Sequence, residues 1–281
     1  MIPGVSFADA EHSFEDADYV IMGVPFDRTT SFRAGCRDGP HAVRKASYNF
    51  EMHLFEHGHD IGDLKVHDMG DLEDHVQVDH MVESAYIETS RIVDAGKFPI
   101  TIGGEHSVTI PAVKAFGDGI SVISVDAHTD FRQEYMGLGN SHACVMRRCA
   151  DQVGEGNVAV IGARSISKEE EDAGLPFFVD SFSILDHGIE QAIDKVLDHI
   201  GNDRVYLTVD IDGVDPAFAP GTGTPEPFGI TPYDVKKLMG AIGERMVGFD
   251  VVEVSPPYDN GSTAALAARL IREAMAVSRK E

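Results

Sequence analysis

The chain contains no tryptophan, only three cysteines and few cationic side chains. Its 281 residues include 23 Lys and Arg against 47 Asp and Glu, which gives a formal net charge of −24 at pH 7. Nucleic acids and anionic membrane surfaces attract basic patches, so we expect neither as a partner. The acidic field would suit a small cationic ligand. A high-salt cytosol and ordinary surface solubilisation would both produce this excess of acids, and the sequence leaves that choice open.

The sequence also has few cysteines and no long apolar runs. Cys36, Cys144 and Cys149 have no metal or redox spacing, and their odd number suits a reducing cytoplasm. No apolar stretch is long enough to span a bilayer, and the first residues lack the basic and apolar regions of a signal peptide. We therefore expect a cytoplasmic protein. No linker, repeat or low-complexity run interrupts the chain, so we expect a single domain over residues 1–281.

Short apolar runs alternate with amphipathic segments along the whole chain. The runs are rich in Val and Ile and mostly continuous, as in strands that are buried on both faces of a parallel sheet. We predict strands at residues 19–26, 98–103, 120–126, 158–162, 205–210 and 247–254. We predict helices at residues 40–47, 79–95, 107–116, 189–200, 231–242 and 262–277. This alternation favours an α/β fold with three layers, α-β-α, around a mostly parallel central sheet.

Acidic residues follow two of the predicted strands. One strand ends in Asp126, His128 and Asp130, and another ends in Asp210 and Asp212. In extended chain, residues i, i+2 and i+4 point the same way, so each cluster would project from one strand end. A single such Asp is often a turn former or a helix cap. Two clusters of like charge cost free energy unless cations neutralise them, which indicates a metal site.

A third polar segment, GGEHS, follows the predicted strand at 98–103 and places His106 near the start of a helix. Alone, this histidine would be read as an ordinary hydrogen-bonded residue. Together with the acidic clusters it completes six potential ligands, two His and four Asp, enough for two metal ions that share bridging carboxylates. Oxygen-rich ligation with imidazole and no thiolate favours Mn²⁺, while Fe²⁺, Co²⁺ and Zn²⁺ remain alternatives.

Three segments resemble the signature motifs of the ureohydrolase family, which includes the arginases and the agmatinases. They are GGEHS, SVDAHTD and TVDIDGVDPAFAPGTGTPEP. Further segments, VIMGVPFDRTTSFRAGCRDGPHAVRKAS and FDVVEVSPPYD, are similar to other parts of the same family. The resemblance runs from about Tyr19 to the final helix with order and spacing intact. It implies an arginase-like fold and a hydrolase that acts on linear amidines, specifically on guanidino compounds.

The resemblance also implies which residues hold two Mn²⁺ ions per chain. One metal would be bound by His106, Asp126, Asp130 and Asp210. The other would be bound by Asp126, His128, Asp210 and Asp212, so that Asp126 and Asp210 bridge. Other divalent transition metals are possible in these positions.

The same resemblance assigns three catalytic roles. Glu253 matches the carboxylate that grips the guanidinium, and His142 matches the active-site histidine. Asp130 would give a proton to the leaving amine, with His142 as the shuttle to solvent. Outside this pattern, His142 would be read as a helix-start histidine and Glu253 as a strand-end acid. Asp215, before Pro216, is expected to brace a turn rather than to bind metal.

The substrate is read from loops that resemble the agmatinase branch: FRQEYMG, SHACVMRR, PGTGTPEP and PPYD. They imply a small cationic guanidino substrate, agmatine, which would yield putrescine and urea as in polyamine biosynthesis. Asn140 and Phe228 depart from that branch, where Tyr and Gly are frequent, and both are expected near the pocket. The alternatives are guanidinobutyrate, arginine or aminopropyl-agmatine as substrate, a metal-dependent deacetylase, and a non-catalytic family member. Relatives form trimers or hexamers, which implies a homo-oligomer.

The stretch HLFEHGH offers His53, His57 and His59 as a possible second metal site. No carboxylate cluster at a strand end accompanies it in sequence, and surface histidines are common. We predict no metal site there.

Overall fold

The computed structural model describes residues 5–278. Within that range the strands are short and mostly buried. They are β1 (Tyr19–Val24), β2 (His53–Leu54), β3 (His59–Asp60), β4 (Val66–Asp71), β5 (Phe98–Gly103), β6 (Ser121–Val125), β7 (Val158–Ala163), β8 (Phe177–Asp180), β9 (Val205–Asp210) and β10 (Met246–Val252). The α-helices are α1 (Gly39–Ser47), α2 (Val78–Asp94), α3 (Thr109–Lys114), α4 (Val145–Val153), α5 (Lys168–Ala173), α6 (Ser181–His187), α7 (Ile189–His199), α8 (Pro232–Ile242) and α9 (Ser262–Val277).

In the described part of the chain, eight strands form one parallel sheet in the order β4-β1-β5-β10-β9-β6-β7-β8. On one side the helices α1, α9, α8, α7 and α6 pack against one another in that order, and α2, α3 and α4 form a second series. The predicted three-layer α/β fold is therefore confirmed. Strands β2 and β3 form a separate antiparallel hairpin.

The central strands are apolar throughout because helices cover both faces of the sheet. Every residue of β1, β6, β7 and β9 is buried, which is the pattern of continuous Val and Ile runs that predicted them. The predicted strands at 98–103 and 205–210 match β5 and β9 to the residue, and the other four differ by one or two residues at an end. Such differences are within the usual scatter of element boundaries.

The sequence analysis did not predict the two edge strands of the sheet or three of the helices. Strand β4 reads VHDMGD and is only partly buried, so its polar residues hid the apolar pattern. Strand β8 has four residues, and helices α5 and α6 have six and seven. Helix α4 begins within the segment SHACVMRR, which the sequence analysis reads as a substrate loop, and continues to Val153. Short edge elements carry too few apolar residues to show a period.

Among residues 5–278, no helix is long and apolar enough to cross a membrane.

Candidate metal centre and active site

The predicted site residues come from the carboxyl ends of four neighbouring strands, β5, β10, β9 and β6. His106 follows β5, Glu253 follows β10, Asp210 closes β9, and Asp126 follows β6. In open α/β sheets this edge is where ligands bind. His106, Asp210 and Glu253 line one cleft of about 240 Å³ together with His142, while Asp126 is fully buried.

The two acidic clusters converge by tight turns and not by the extended alternation that the sequence analysis assumed. Strand β6 ends at Val125, and the Asp126 carboxylate accepts a hydrogen bond from the His128 N–H at 2.7 Å. Asp130 has a φ of 45°, in the left-handed region. Likewise, the Asp210 carboxylate accepts from the Asp212 N–H at 2.9 Å at the start of a 3₁₀ turn. Each leading Asp thus caps its own turn and sends the later ligand back toward the same cleft.

His106 lies at the centre of the first group of candidate ligands. Its Nδ1 is 3.2 Å from Asp126 Oδ2, 3.1 Å from Asp130 Oδ2 and 3.3 Å from Asp210 Oδ2. Both His106 Nδ1 and Asp126 Oδ2 are buried and have no hydrogen-bond partner among the described residues. The other ring nitrogen, Nε2, is 3.0 Å from Thr208 Oγ1. The free Nδ1 therefore points at three carboxylates, as a ligand nitrogen does.

The second group shares Asp126 with the first. His128 Nδ1 is 3.5 Å from Asp126 Oδ1 and 3.3 Å from Asp212 Oδ2. Asp212 Oδ1 accepts from the Ala127 N–H at 3.1 Å, and Oδ2 accepts from the Thr224 hydroxyl at 2.9 Å. These bonds orient the carboxylate without using all its acceptor capacity.

The electrostatics of the bare cluster fit two divalent cations. The four aspartates are at most 8% exposed. Burial and the neighbouring charge of Asp126 raise the pKa of Asp130 to about 7, and burial with the charges of Asp212 and Asp126 raises the pKa of Asp210 well above its usual value. Burial opposes a charge on His106, but the surrounding carboxylates outweigh it and raise its pKa well above the ordinary range. The cluster thus gathers protons to balance charge, a task that cations would take over.

Glu253 adopts a strained backbone conformation next to this cluster. Its φ is 62°, which is rare for a non-glycine residue. Its Oε1 accepts a hydrogen bond from the His106 N–H at 2.8 Å, and its carboxyl group lines the cleft. Burial first, and then the charge of Glu105, raise the pKa of Glu253 to about 8. A cation bound in the cleft would favour the ionised form of this group.

His142 also lines the cleft, in a 3₁₀ turn that precedes α4. Its Nδ1 lies 3.0 Å from Thr29 Oγ1, and its ring packs edge-on against Tyr135 with 5.6 Å between the ring centroids. Burial lowers the pKa of His142 to about 4. The ring is therefore neutral at pH 7, as a proton acceptor must be.

Two buried residues lie behind His142, and one of them, Glu105, received no role from the sequence. Thr29 and Glu105 form direct hydrogen bonds with each other and are nearly inaccessible. Glu105 stands inside the GGEHS motif, so an acid between a glycine pair and a candidate ligand was a visible signal. No role could be assigned to Glu105, because the sequence does not show which side chains it contacts.

The two departures from the agmatinase pattern do not line the cleft. Asn140 donates a hydrogen bond from Nδ2 to Asp79 Oδ1 at 2.8 Å, at the start of α2. Phe228 is 65% exposed with a φ of 69°, a conformation that suits the glycine often found there in the agmatinase branch. Asp215 accepts from the N–H groups of Ala217 and Gly229, each at 2.9 Å, as expected for a turn brace.

The reason given against a metal near HLFEHGH is corrected in part. Glu56, His57 and Glu273 do come together in space, which sequence spacing could not reveal because Glu273 lies in α9. Lys236 bonds both carboxylates, at 2.9 Å to Glu273, and His57 Nε2 lies 2.9 Å from Glu273. An ammonium therefore supplies the positive charge in this cluster.

Fold and site together define a class: a three-layer α/β protein with a candidate dinuclear metal centre at the carboxyl edge of a parallel sheet. The model of the arginase family matches residues 17–277, and the chain belongs to this family. Enzymes of this family depend on a dinuclear metal centre, and the two His/Asp groups described above are able to hold metal ions.

Individual relatives extend over nearly the whole chain. The agmatinase of Bacillus anthracis is 36% identical over 96% of this chain and 95% of that protein. The N(1)-aminopropylagmatine ureohydrolase of Synechocystis is 34% identical over 94% of this chain and 91% of that protein. The crystal structure of the agmatine ureohydrolase of Thermoplasma volcanium superposes with a TM-score of 0.93 at 41% identity, covering 99% of this chain and 95% of that one. The chain is accordingly a hydrolase that acts on guanidino compounds.

Proposed function

We propose that the protein hydrolyses agmatine to putrescine and urea with two Mn²⁺ ions per chain. The observation that carries this proposal is the convergence of three chain segments on one cleft, with His106 Nδ1 within 3.3 Å of three carboxylates. In this proposal His106, Asp126, Asp130 and Asp210 would hold one ion, as the family resemblance implies. His128 and Asp212 would hold the second ion together with Asp126 and Asp210.

The metal ions would supply a Lewis-acidic pair that lowers the pKa of a shared water from 15.7 toward roughly 7. The guanidinium carbon is a poor electrophile, since its charge is spread over three nitrogens, and needs such a nucleophile. Glu253 orients the substrate: its Oε1 is engaged by the His106 N–H, and the carboxylate faces the cleft. Charge-assisted hydrogen bonds from the planar guanidinium to Glu253 would fix the carbon beside the aspartates.

Proton transfer falls to Asp130 and His142. Addition of water to the guanidinium carbon gives a tetrahedral centre, and the leaving amine must gain a proton before the C–N bond breaks. Asp130 lies on the cleft wall beside His106; it would take up the proton that the attacking water loses and deliver it to the leaving amine. His142 is neutral at pH 7, lines the same cleft, and would exchange the proton with solvent.

Agmatine is favoured as the substrate by its charge and by the relatives. A dication suits a chain with a net charge of −24. The agmatinase of Bacillus anthracis and the Thermoplasma agmatine ureohydrolase are similar over almost the full chain. A second candidate is aminopropyl-agmatine, because a relative with that named activity is 34% identical. Both substrates carry the same guanidino head and differ in the cationic tail.

A urea-release assay on Mn²⁺-loaded protein tests the proposal, with agmatine, aminopropyl-agmatine, guanidinobutyrate and arginine compared by kcat/KM. We expect agmatine to be the best substrate. A higher kcat/KM for aminopropyl-agmatine would move the proposal to that amine. No urea from any of the four would refute hydrolysis of a guanidino compound, provided that two metals per chain are measured in the same sample.

We also propose a cytoplasmic homo-oligomer in which residues 1–281 act as one domain. Three buried cysteines without disulfides support a reducing compartment. Light scattering on the metal-loaded protein will measure the assembly, for which the family resemblance implies a trimer or hexamer.

A further inference from the structure

His142 is held from behind by a chain of buried hydrogen bonds. Its Nδ1 lies 3.0 Å from Thr29 Oγ1, and its backbone N–H donates to the same oxygen at 3.1 Å. Thr29 in turn contacts Glu105 twice: its N–H donates to Oε2 at 2.7 Å, and its hydroxyl donates to Oε1 at 2.6 Å. Thr29 is 7% exposed and Glu105 is fully buried, so water does not compete for these bonds.

Glu105 acts as an acceptor in every contact that it makes with these neighbours. Besides the two bonds from Thr29, its Oε1 accepts from the Ser107 hydroxyl at 2.7 Å. Three donors therefore surround one carboxylate, and the hydrogen of the Thr29 hydroxyl is committed to it. A threonine hydroxyl has one hydrogen and two acceptor lone pairs. Toward His142, Thr29 can consequently only accept.

This direction decides which ring nitrogen of His142 carries the proton. If Nδ1 held a lone pair, it would face an oxygen lone pair at 3.0 Å, which is repulsive. Nδ1 must therefore carry the hydrogen, and a neutral imidazole has only one N–H. Nε2 is then the acceptor. His142 lines the cleft, and its Nε2 has no hydrogen-bond partner within residues 5–278.

A second hydroxyl stands beside this chain. Ser141 Oγ lies 3.3 Å from His142 Nδ1 and 3.4 Å from Thr29 Oγ1. It is farther from the ring than Thr29, and no contact with a carboxylate fixes its hydrogen. It can therefore accept from Nδ1 or donate to Thr29, and it adapts to the tautomer instead of setting it.

We propose that Glu105 and Thr29 are positioning residues that hold His142 as the Nδ1–H tautomer, so that Nε2 faces the cleft as a proton acceptor. The consequence for catalysis rests on the role of His142 in the proposed function. A proton that arrives at Nε2 forms a new N–H bond and an imidazolium, whose charge the Glu105 carboxylate stabilises through the Thr29 hydroxyl. Release of that proton from Nε2 restores the starting tautomer. The opposite tautomer would present an N–H to the cleft and could accept nothing there.

Nitrogen NMR reads the tautomer directly and does not depend on turnover. We would label the histidines with ¹⁵N, load the protein with diamagnetic Zn²⁺, and assign His142 by the signal lost in His142→Asn. A ring nitrogen that carries hydrogen is separated in ¹⁵N shift from one that does not. The wild type should show a protonated Nδ1 and an unprotonated Nε2 at His142.

Glu105→Gln gives the sharpest test because it reverses the hydroxyl. The amide oxygen would keep the bond from the Thr29 N–H, so the amide NH₂ would face Thr29 Oγ1 and donate to it. The Thr29 hydrogen would then be free to donate to His142 Nδ1, and the ring proton should move to Nε2. Thr29→Val removes the hydroxyl that accepts from His142, so the ring should lose its preference for the Nδ1–H tautomer. Thr29→Ser keeps a hydroxyl at this position and should keep that preference.

Turnover supplies the second readout. An incorrect histidine tautomer costs about 10⁴ in kcat in a serine protease, and general acid–base catalysis contributes typically about 10²–10⁴. We expect kcat to fall by roughly 10²-fold or more in Glu105→Gln and Thr29→Val, with KM changed little. Thr89→Val is the matched control, since Thr89 is equally buried in α2 and its hydroxyl has no hydrogen-bond partner among the described residues.

The outcomes separate the two proposals. A protonated Nε2 in the wild type, or a protonated Nδ1 that persists in Glu105→Gln, would overturn the tautomer assignment. If the NMR result holds but the wild type releases no urea, the proposed function fails and the tautomer stands. Metal content and melting temperature are measured for each variant, and Thr29→Ser supplies the folded comparison should Thr29→Val fail to fold.

Discussion

Removal of the metals should lower the melting temperature strongly, and Asp210→Asn should abolish that effect. Asp210 is 4% exposed, and its Oδ2 lies 3.3 Å from the free Nδ1 of His106. Burial and the charges of Asp212 and Asp126 oppose its ionisation in the bare site and raise its pKa. Cations that bind only the folded protein reverse this penalty, so chelation should destabilise the wild type.

The magnitude follows from linkage. A ligand that binds only the native state at 100 times its Kd stabilises that state by about 2.7 kcal/mol, and two such ions contribute about 5.4 kcal/mol together. One kcal/mol moves the melting temperature by roughly 2–4 °C for a domain of 150–250 residues. For this chain we therefore expect a shift of roughly 10–20 °C between chelated and Mn²⁺-saturated protein.

Asp210→Asn should have opposite effects on stability, relative to the wild type, in the absence and in the presence of Mn²⁺. The amide oxygen can still accept the Asp212 N–H, which the carboxylate accepts at 2.9 Å, so the turn is kept. Without metal the variant should be at least as stable as the wild type, because a neutral amide replaces a carboxyl group whose ionisation the buried site opposes. With Mn²⁺ it should be less stable, because an amide is a weak ligand in a site that needs negative charge.

Calorimetry suits this test because the chain has no tryptophan for fluorescence. Each protein is scanned after chelation and again across a Mn²⁺ titration. Asp203→Asn serves as the control, since that carboxylate is 88% exposed. An unchanged melting temperature in the wild type would refute the metal site. A metal-free Asp210→Asn that melts well below metal-free wild type would show that the carboxylate stabilises the fold by itself.

Three further substitutions probe the same site. Glu253→Gln should lower kcat/KM by at least about 10²-fold, because it removes a charge-assisted pair with the guanidinium. Plasma emission should still find about two metals per chain, and a loss of metal would make Glu253 a ligand. Asp126→Asn should abolish urea release and lower the metal content, as Asp126 contacts both histidines; full activity would remove it from the centre. Gly104→Ala should destabilise the chain by several kcal/mol, since a Cβ there would lie 2.0 Å from the Phe26 carbonyl oxygen; a melting temperature within about 2 °C of wild type would contradict that reasoning.

The fold was predictable because its signal is local. Strands β5 and β9 are continuous apolar runs, and α9 carries an apolar face over sixteen residues, so their bounds follow from the pattern. Strand β4 was not predictable, because its aspartates are drawn inward by the buried Arg44, which pairs with Asp68 at 2.7 Å and also with Asp71. Ion pairs with a residue more than twenty positions away therefore allow polar residues in this strand, so β4 lacks a continuous apolar run.

The residues of the candidate site were predictable from the sequence, but the backbone geometry that brings them together was not. Residue types and motif spacing identified the six potential ligands, yet the extended alternation invoked for Asp126 to Asp130 is replaced by a capped turn with Asp130 at a positive φ. The contact between Glu105 and Thr29 could not be predicted for a different reason. Their meeting joins the loop after β1 to the turn after β5, and only the pairing of these strands brings the two loops together.

The strand order also explains why a guanidinium site would lie beside the metal site. His106 follows β5 and Asp210 closes β9, and β10 lies between these strands. Neighbouring strands are roughly 4.8 Å apart, so the two backbones are separated by roughly 10 Å. The His106 side chain must reach across the end of β10 to come within 3.3 Å of Asp210. Glu253, the first residue after β10, accepts the backbone N–H of His106 at 2.8 Å. His106 therefore provides a candidate metal ligand through its ring and orients the Glu253 carboxylate through its backbone N–H. If Glu253 binds the guanidinium as proposed, His106 would tie the position of the guanidinium carbon to that of the metals.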